Sequence, residues 1–254
     1  MHVFVINLAT ATDRLAHMDR QLDGRFERIE AVRGTAIPEH LAANFSQSGP
    51  LLPGELGCYA SHLVTAETIL ARGLPYALVL EDDVDLERDL RQIAADAVAK
   101  IDGDWDILSL SGAKQHPHCR LATLGEGSHS LVRYLHFPKT TAAYVISASG
   151  CRKLLAERKR TRPVDVDIRY GWEMGIEGYG VYPAPAWQEN RFESSIPKSK
   201  TQRFYWRANP VGYLVGRIVG VWKMGPLNLA RAYLDEFRQG RAAAIADAQR
   251  RSLQ

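Results

Sequence analysis

The chain has 254 residues, 46 % of them hydrophobic and 24 % charged, with a formal net charge of +3, which is length enough for one large globular domain or two small ones. That composition excludes a disordered chain, a collagen and a coiled-coil rod, and no run of about 18 apolar residues offers a conventional membrane span. The charge divides near Pro197. Residues 198–254 hold 11 Lys and Arg against three acids, a balance of +8, and the preceding residues sum to −5. Cys58, Cys119 and Cys151 are far apart and odd in number, which argues against a disulfide framework. Together with the lack of a cleavable leader in Met1–Leu8, they predict a reducing cytoplasm.

In chain order, residues 2–8 read as a buried strand and 11–22 as a helix capped by Thr10 or Thr12. Residues 26–31 predict a second strand. The stretch 36–53, with its Pro, Gly, Ser and Asn, predicts mostly loop. Over 54–72, Leu56, Tyr59, Ala60, Leu63, Ala66, Ile69 and Leu70 recur at three- and four-residue steps, a helix that Gly73-Leu74-Pro75 stops. Tyr76–Leu80 is a continuous apolar run ending abruptly in acid, as a central strand covered on both faces would. A helix over 89–100, a strand over 106–111, a loop over 116–127 and a strand over 131–136 follow. Residues 141–147 predict a strand and 148–159 a helix with a cationic end. Alternating strands and helices predict an α/β sandwich with a mainly parallel sheet.

The chemistry concentrates in Glu81-Asp82-Asp83. Alternation along a strand projects Glu81 and Asp83 to one side beyond its carboxyl end, where open α/β sheets bind ligands. Crowded carboxylates there suit a hard divalent ion, Mg²⁺ or Mn²⁺, bridging to a diphosphate. Taken alone, the three acids fit an ordinary capping turn equally well.

Gly54-Glu55-Leu56-Gly57-Cys58-Tyr59-Ala60-Ser61-His62 breaks that tie, with Val5-Ile6-Asn7-Leu8 and Asp13-Arg14 before it. Thr141–Gly150, Pro163-Val164-Asp165 and a closing segment from Pro183 through Gln188, Ser195 and Ile196 come after. In this order over residues 3–196, the chain resembles glycosyltransferase family 25, which includes lipopolysaccharide sugar transferases and the collagen galactosyltransferases. The resemblance implies an A-type glycosyltransferase fold, divided here into a catalytic domain over 1–197 and a basic helical extension over 198–254. It also implies inverting transfer of a hexose, galactose or glucose, from a UDP-sugar, with Mn²⁺ or Mg²⁺ at Asp83 and Glu81.

Asp165 is the first candidate for the base that deprotonates the acceptor hydroxyl. Asp167 is placed beside it on one side of a short extended segment, and Glu173, next to Trp172, is the second candidate. Asn7, Arg14, Asp82, Glu55, Ser61 and His62 form the expected donor-nucleotide set; Arg14 reads equally as a surface residue and His62 as a core histidine. Thr140, Thr141 and Tyr144 read as sugar contacts, Gln188 and Glu189 as completing the metal or donor shell, and Cys58 as packing.

Two other classes stay in view. A Mg²⁺ phosphohydrolase would want an Asp nucleophile after the first strand, where Asn7 stands. A non-catalytic lipid- or polyanion-binding protein would need only the tail. In that tail, Val211, Leu214, Val215, Ile218, Val219 and Trp222 follow helical spacing, with Gly212, Gly216 and Gly220 every fourth residue. Leu227, Ala230, Tyr233, Leu234 and Phe237 predict a second amphipathic helix. The first is too short to span a bilayer. The glycines suit close packing on the body. The Arg/Trp/Tyr rim suits an anionic membrane surface. The expected partners are therefore a UDP-sugar, a lipid-linked oligosaccharide or glycan acceptor, and the inner face of a bacterial cytoplasmic membrane. No nucleic acid beyond the nucleotide sugar is expected.

Overall fold

The computed structural model describes residues 1–45, 51–112, 117–188, 210–225, 227–230 and 233–234. Its strands are β1 His2–Asn7, β2 Glu27–Glu30, β3 Tyr76–Glu81, β4 Val84–Leu86, β5 Ile107–Ser109, β6 His118–Leu124, β7 His129–Tyr134, β8 Ala143–Ser147, β9 Gly178–Tyr182 and β10 Ala186–Gln188. The helices are α1 Thr12–Leu22, α2 Glu39–Ala42, α3 Pro53–Ala71, α4 Leu90–Ala99, α5 Ala148–Leu155, α6 Val164–Arg169 and α7 Pro210–Met224.

Eight strands form one sheet in the order β2-β1-β3-β8-β5-β9-β7-β6, and β4 pairs with β10 in a separate two-stranded sheet. Following the pairings across the large sheet, only β7 and β8 run against the others. The mainly parallel α/β sheet expected from the alternation is what forms. β3 lies between β1 and β8, which accounts for its unbroken apolar run.

Strand alternation sorts the core into two layers. Val3, Val5, Leu78, Leu80, Leu108 and Val145 face α1 and α4, where Met18, Leu22, Ile93 and Ala97 meet them. Phe4, Ile6, Ala77, Val79, Ile107 and Ile146 face Tyr59, Ala60, Leu63 and Ile69 of α3 and Cys151 and Leu154 of α5. Each fully buried aliphatic or aromatic side chain here is worth about 1.5–3 kcal/mol.

Four local expectations are corrected. The 118–124 stretch is a strand, not a loop. It is an edge strand whose alternation is spoiled by a register shift between Arg120 and Ala122 and by an exposed Leu121. A short helix, α2, interrupts the expected loop over 36–53. Neither Thr10 nor Thr12 caps α1, whose N-cap is Ala11 without a side-chain hydrogen bond. Pro163-Val164-Asp165 opens a helix, not an extended segment: Pro163 is the N-cap of α6, one residue ahead of the first-turn position where its missing N–H also costs nothing.

Helix α7 packs through its glycines. A Cβ at Gly220 would lie 2.5 Å from the Leu135 carbonyl oxygen, and one at Gly216 would lie 3.0 Å from the Trp172 indole nitrogen. Lys223 pairs with Glu177. The opposite stripe points outward: Val211, Leu214 and Ile218 are exposed and Trp222 is 82 % exposed. Leu227, Tyr233 and Leu234 are exposed as well. Phe237 lies outside the described residues.

Candidate active site

The acids sit where β3 ends. Continuing the alternation, Glu81 falls on the α3 side and Asp82 on the α1 side. Glu81 Oε1 accepts from Thr141 Oγ1 at 2.6 Å and lies 3.5 Å from His62 Nε2. Asp82 accepts from Asn7 Nδ2 at 2.7 Å and from Arg14 Nη1 at 3.0 Å. Asp83 accepts from Gln188 Nε2 at 2.8 Å, with Arg14 Nη1 3.6 Å from its other oxygen.

Two long-range devices hold this loop. β10 pairs antiparallel with β4 with Gln188 opposite Val84, so Gln188 arrives beside Asp83. On the other edge of β4, the Gln21 amide acts as a further strand: it donates to the Val84 carbonyl at 2.9 Å and accepts from Leu86 N–H at 2.8 Å.

A cleft of about 430 Å³ opens above the strand ends, lined by Glu81, Asp82, Asp83, Arg14, His62 and Gln188 together with Ile6, Leu8, Val32, Gly34 and Cys58. Its size is that of a small-molecule pocket. One wall is a close crossing of backbone on helix. A Cβ at Gly57 of α3 would run into the Val32 carbonyl oxygen, and one at Gly34 into the Pro53 carbonyl oxygen. Only glycine fits at either place.

The carboxylates differ in charge behaviour. Burial works to raise the Glu81 carboxyl, yet donation from His62 and Thr141 and the charge of Arg14 hold it below the ordinary value. Burial and the neighbouring Glu81 charge raise Asp83. Two adjacent carboxylates pushed apart in this way are a site that a cation would relieve. Asp165 stands beyond the cleft lining but within electrostatic reach of Glu81. Burial raises its carboxyl, and Lys139, 3.7 Å away, with the Val166 N–H offsets part of the rise. Burial, then the charges of Glu81, Asp165, Asp83 and Glu55, push the Cys58 thiol well up.

Several expected site residues are placed elsewhere. Glu55 does not reach the cleft: its carboxylate accepts from Leu52 N–H at 2.9 Å and closes the first turn of α3. Ser61 does line the cleft, with its hydroxyl engaged in the fold, accepting from Val32 N–H and donating to the Gly57 carbonyl. Asp167 is 2 % exposed and accepts from Arg158, Arg162 and Tyr59. The extended-segment argument that put it beside Asp165 fails because two residues on a helix point about 200° apart. Glu173 is paired with Arg162. Tyr144 is buried behind His62, its hydroxyl 2.8 Å from Nδ1. Thr140 spends its hydroxyl on Ser111 and the Ala142 N–H. Cys58 packs against the α3-side core as expected, and it also lines the cleft. Glu189, Ser195 and Ile196 lie outside the described residues.

Sequence reading passed over Arg28 and Lys139. Arg28 donates to the Asn7 side-chain and backbone oxygens and so fixes the amide that holds Asp82. No local pattern marks either cation; both gain meaning only through partners brought in by the sheet.

The architecture is that of an α/β protein with an acidic ligand cleft at the carboxyl ends of parallel strands. Residues 1–169 match the signature of glycosyltransferase family 25 (LPS biosynthesis protein), and the chain belongs to that family. Similar proteins include human "inactive glycosyltransferase 25 family member 3", 30 % identical over 184 residues, and procollagen galactosyltransferase 1 from Danio rerio, 31 % identical over 185 residues. The matches take in 65 % and 64 % of this chain and 30 % of each relative, so the chain spans less than a third of their length. Among solved structures, a Drosophila β-1,4-galactosyltransferase 7 variant in complex with manganese, UDP-Gal and xylobiose aligns at TM-score 0.39. It shares 9 % identity, over 80 % of this chain and 79 % of that one.

Proposed function

We propose that this chain is an inverting, metal-dependent glycosyltransferase that moves a hexose, galactose or glucose, from a UDP-sugar to a hydroxyl of a lipid-linked or cell-surface glycan, forming a β-glycosidic bond. The observation that carries it is the pairing of Glu81 and Asp83 at one cleft beside Arg14, with Asp165 outside that lining but within electrostatic reach of Glu81. The donor set fits Mn²⁺ or Mg²⁺, which favour carboxylate oxygens. Glu81 takes both its described contacts on Oε1, and Asp83 is raised by burial and by the neighbouring Glu81 charge. A divalent ion held by Asp83 and Glu81 would supply neutralisation of the departing diphosphate.

The chain's own residues do the rest. Arg14, anchored to Asp82, presents a cation at the cleft for phosphate oxygens. Ile6, Leu8 and Val32 offer apolar contact to a base. Asp165 accepts the acceptor hydroxyl's proton, and its raised affinity for protons suits that task. The familial name "inactive" on some relatives keeps a non-catalytic binding role as the second reading. A phosphohydrolase is disfavoured, because Asn7 is committed to Asp82 and Arg28.

The same reading puts the protein on the inner face of a bacterial cytoplasmic membrane. The outward apolar stripe of α7 and the +8 charge of residues 198–254 support contact with anionic lipid.

The test is UDP release from a panel of UDP-hexoses with Mn²⁺, alongside thermal unfolding with UDP and Mn²⁺. Saturating ligand at about 100 Kd should raise the melting temperature by roughly 5–10 °C, and Asp83→Asn should remove the rise. An unchanged melting curve would overturn the nucleotide site. Binding without turnover of any donor would favour the non-catalytic reading.

A further inference from the structure

We propose that Cys58, His62 and Glu81 form a binding site for a borderline-soft divalent cation, Zn²⁺ foremost, that shares one ligand with the hard oxygen site but has different donor chemistry. Cys58 and His62 stand four residues apart on α3, which puts thiol and imidazole on one face of the helix. Glu81 reaches the same point from the end of β3. The Cys58 sulfur, a His62 ring nitrogen and a Glu81 oxygen all lie within 4.8 Å of one another. Tetrahedral zinc with sulfur, nitrogen and oxygen ligands has ligand–ligand edges of roughly 3.3–3.8 Å, and the His62 Nε2 to Glu81 Oε1 edge already measures 3.5 Å. Closing the sulfur edges takes small side-chain rotations.

The supporting contacts are those a metal-binding histidine uses. The Tyr144 hydroxyl engages Nδ1 at 2.8 Å, which leaves Nε2 as the ring atom turned to the sulfur and the carboxylate. Thr141 donates to the same Glu81 oxygen, Oε1, at 2.6 Å and fixes the carboxylate, whose Oε2 has no hydrogen bond among the described residues. His62 is 1 % exposed, and Cys58 lines the cleft, so an ion held by all three keeps its fourth position toward the cavity. Sulfur and imidazole select zinc over magnesium. Cys119 and Cys151 are buried elsewhere in the fold. Because Glu81 is common to both ligand sets, zinc held here withdraws it from Asp83; this consequence rests on the donor-site reading above, whereas the zinc site does not.

The experiment is titration of the full chain with Zn²⁺ against a chromophoric zinc indicator, without UDP or Mn²⁺. One equivalent should bind, at least about tenfold more weakly in Cys58→Ser and in His62→Gln. Co²⁺ as a probe of the unmodified chain should give a thiolate-to-cobalt charge-transfer band, a readout independent of whether the variants fold. Unchanged zinc uptake in both variants, or a cobalt spectrum without the sulfur band, would overturn the site. Zinc should also reverse the UDP–Mn²⁺ stabilisation. Zinc binding with no UDP response at all upholds this site while sinking the donor reading, and zinc bound with the UDP–Mn²⁺ response intact overturns the sharing of Glu81.

Discussion

The Asn7 amide and the Asp82 carboxylate, 75 residues apart in sequence, meet at 2.7 Å where β1 and β3 end side by side. That contact, with Arg14 on the other carboxylate oxygen, takes Asp82 out of the set available to a ligand. Of three consecutive acids, two carboxylates are therefore left for the proposed ligand, and an amide stands where a hydrolase nucleophile would.

The two aspartates of α6 should separate cleanly. Asp165→Asn is expected to keep UDP–Mn²⁺ binding and the melting temperature while lowering transfer about 10²–10⁴-fold. Asp167→Asn leaves Arg158 and Arg162 without their buried counter-charge and should cost about 3 kcal/mol of stability. Urea unfolding and steady-state turnover on both variants check this; full turnover in Asp165→Asn removes it as the base.

The pH profile follows from Lys139. A base works only when ionised, so turnover should fall as pH drops through the raised Asp165 value, giving an acid limb above the ordinary aspartate range. Lys139 lowers that value. Lys139→Met should therefore move the limb to higher pH. A limb that stays in place, or moves down, contradicts the assignment.

Gly57→Ala tests the cleft wall. The added methyl meets the Val32 carbonyl and the Gly34 nitrogen, backbone atoms that yield only if the loop lifts off α3. A loss of about 1–3 kcal/mol is expected, with weaker UDP binding. Gly73→Ala makes a poor control for strain because its φ is +62°. The matching Gly112→Ala, whose nearest neighbour is a Pro138 side-chain carbon at 3.3 Å, should be far milder.

Membrane contact is a matter of flotation. The full chain should rise with vesicles containing anionic lipid and much less with neutral ones, since each interfacial Lys or Arg contributes about 1 kcal/mol. Leu214→Ser with Trp222→Ser should weaken recovery without unfolding the body, because both side chains point outward. Equal recovery from both vesicle types rejects the charge-driven part.

What could be read from sequence was whatever rested on long, regular burial. The apolar run of β3 and the three-and-four spacing of α3 fixed the acidic loop and the helix facing it, and the motif order fixed the family. Edge strand β6 escaped because half of it faces solvent and its register shifts. Asp165 and Asp167 were put on one side of an extended segment because six residues carry too little periodicity to tell a helical turn from an extended one. Cys58 packs on the core as its helical position indicates; that the same side borders a cavity is something helical spacing does not mark. Glu55 looked like a ligand and serves as a cap, a use that depends on where α3 starts.

The position of β9 bears on how the molecule comes into being. This strand is inserted between β5 and β7, yet it is made after both, and beyond Arg169, where the family match stops. Gln188, which steadies Asp83, emerges later still. During synthesis, β6 and β7 must wait beside an incomplete sheet until residues 178–182 leave the ribosome. A fragment trimmed to the matching 169 residues would keep the acidic loop and lack both β9, the strand that joins β5 to β7, and Gln188.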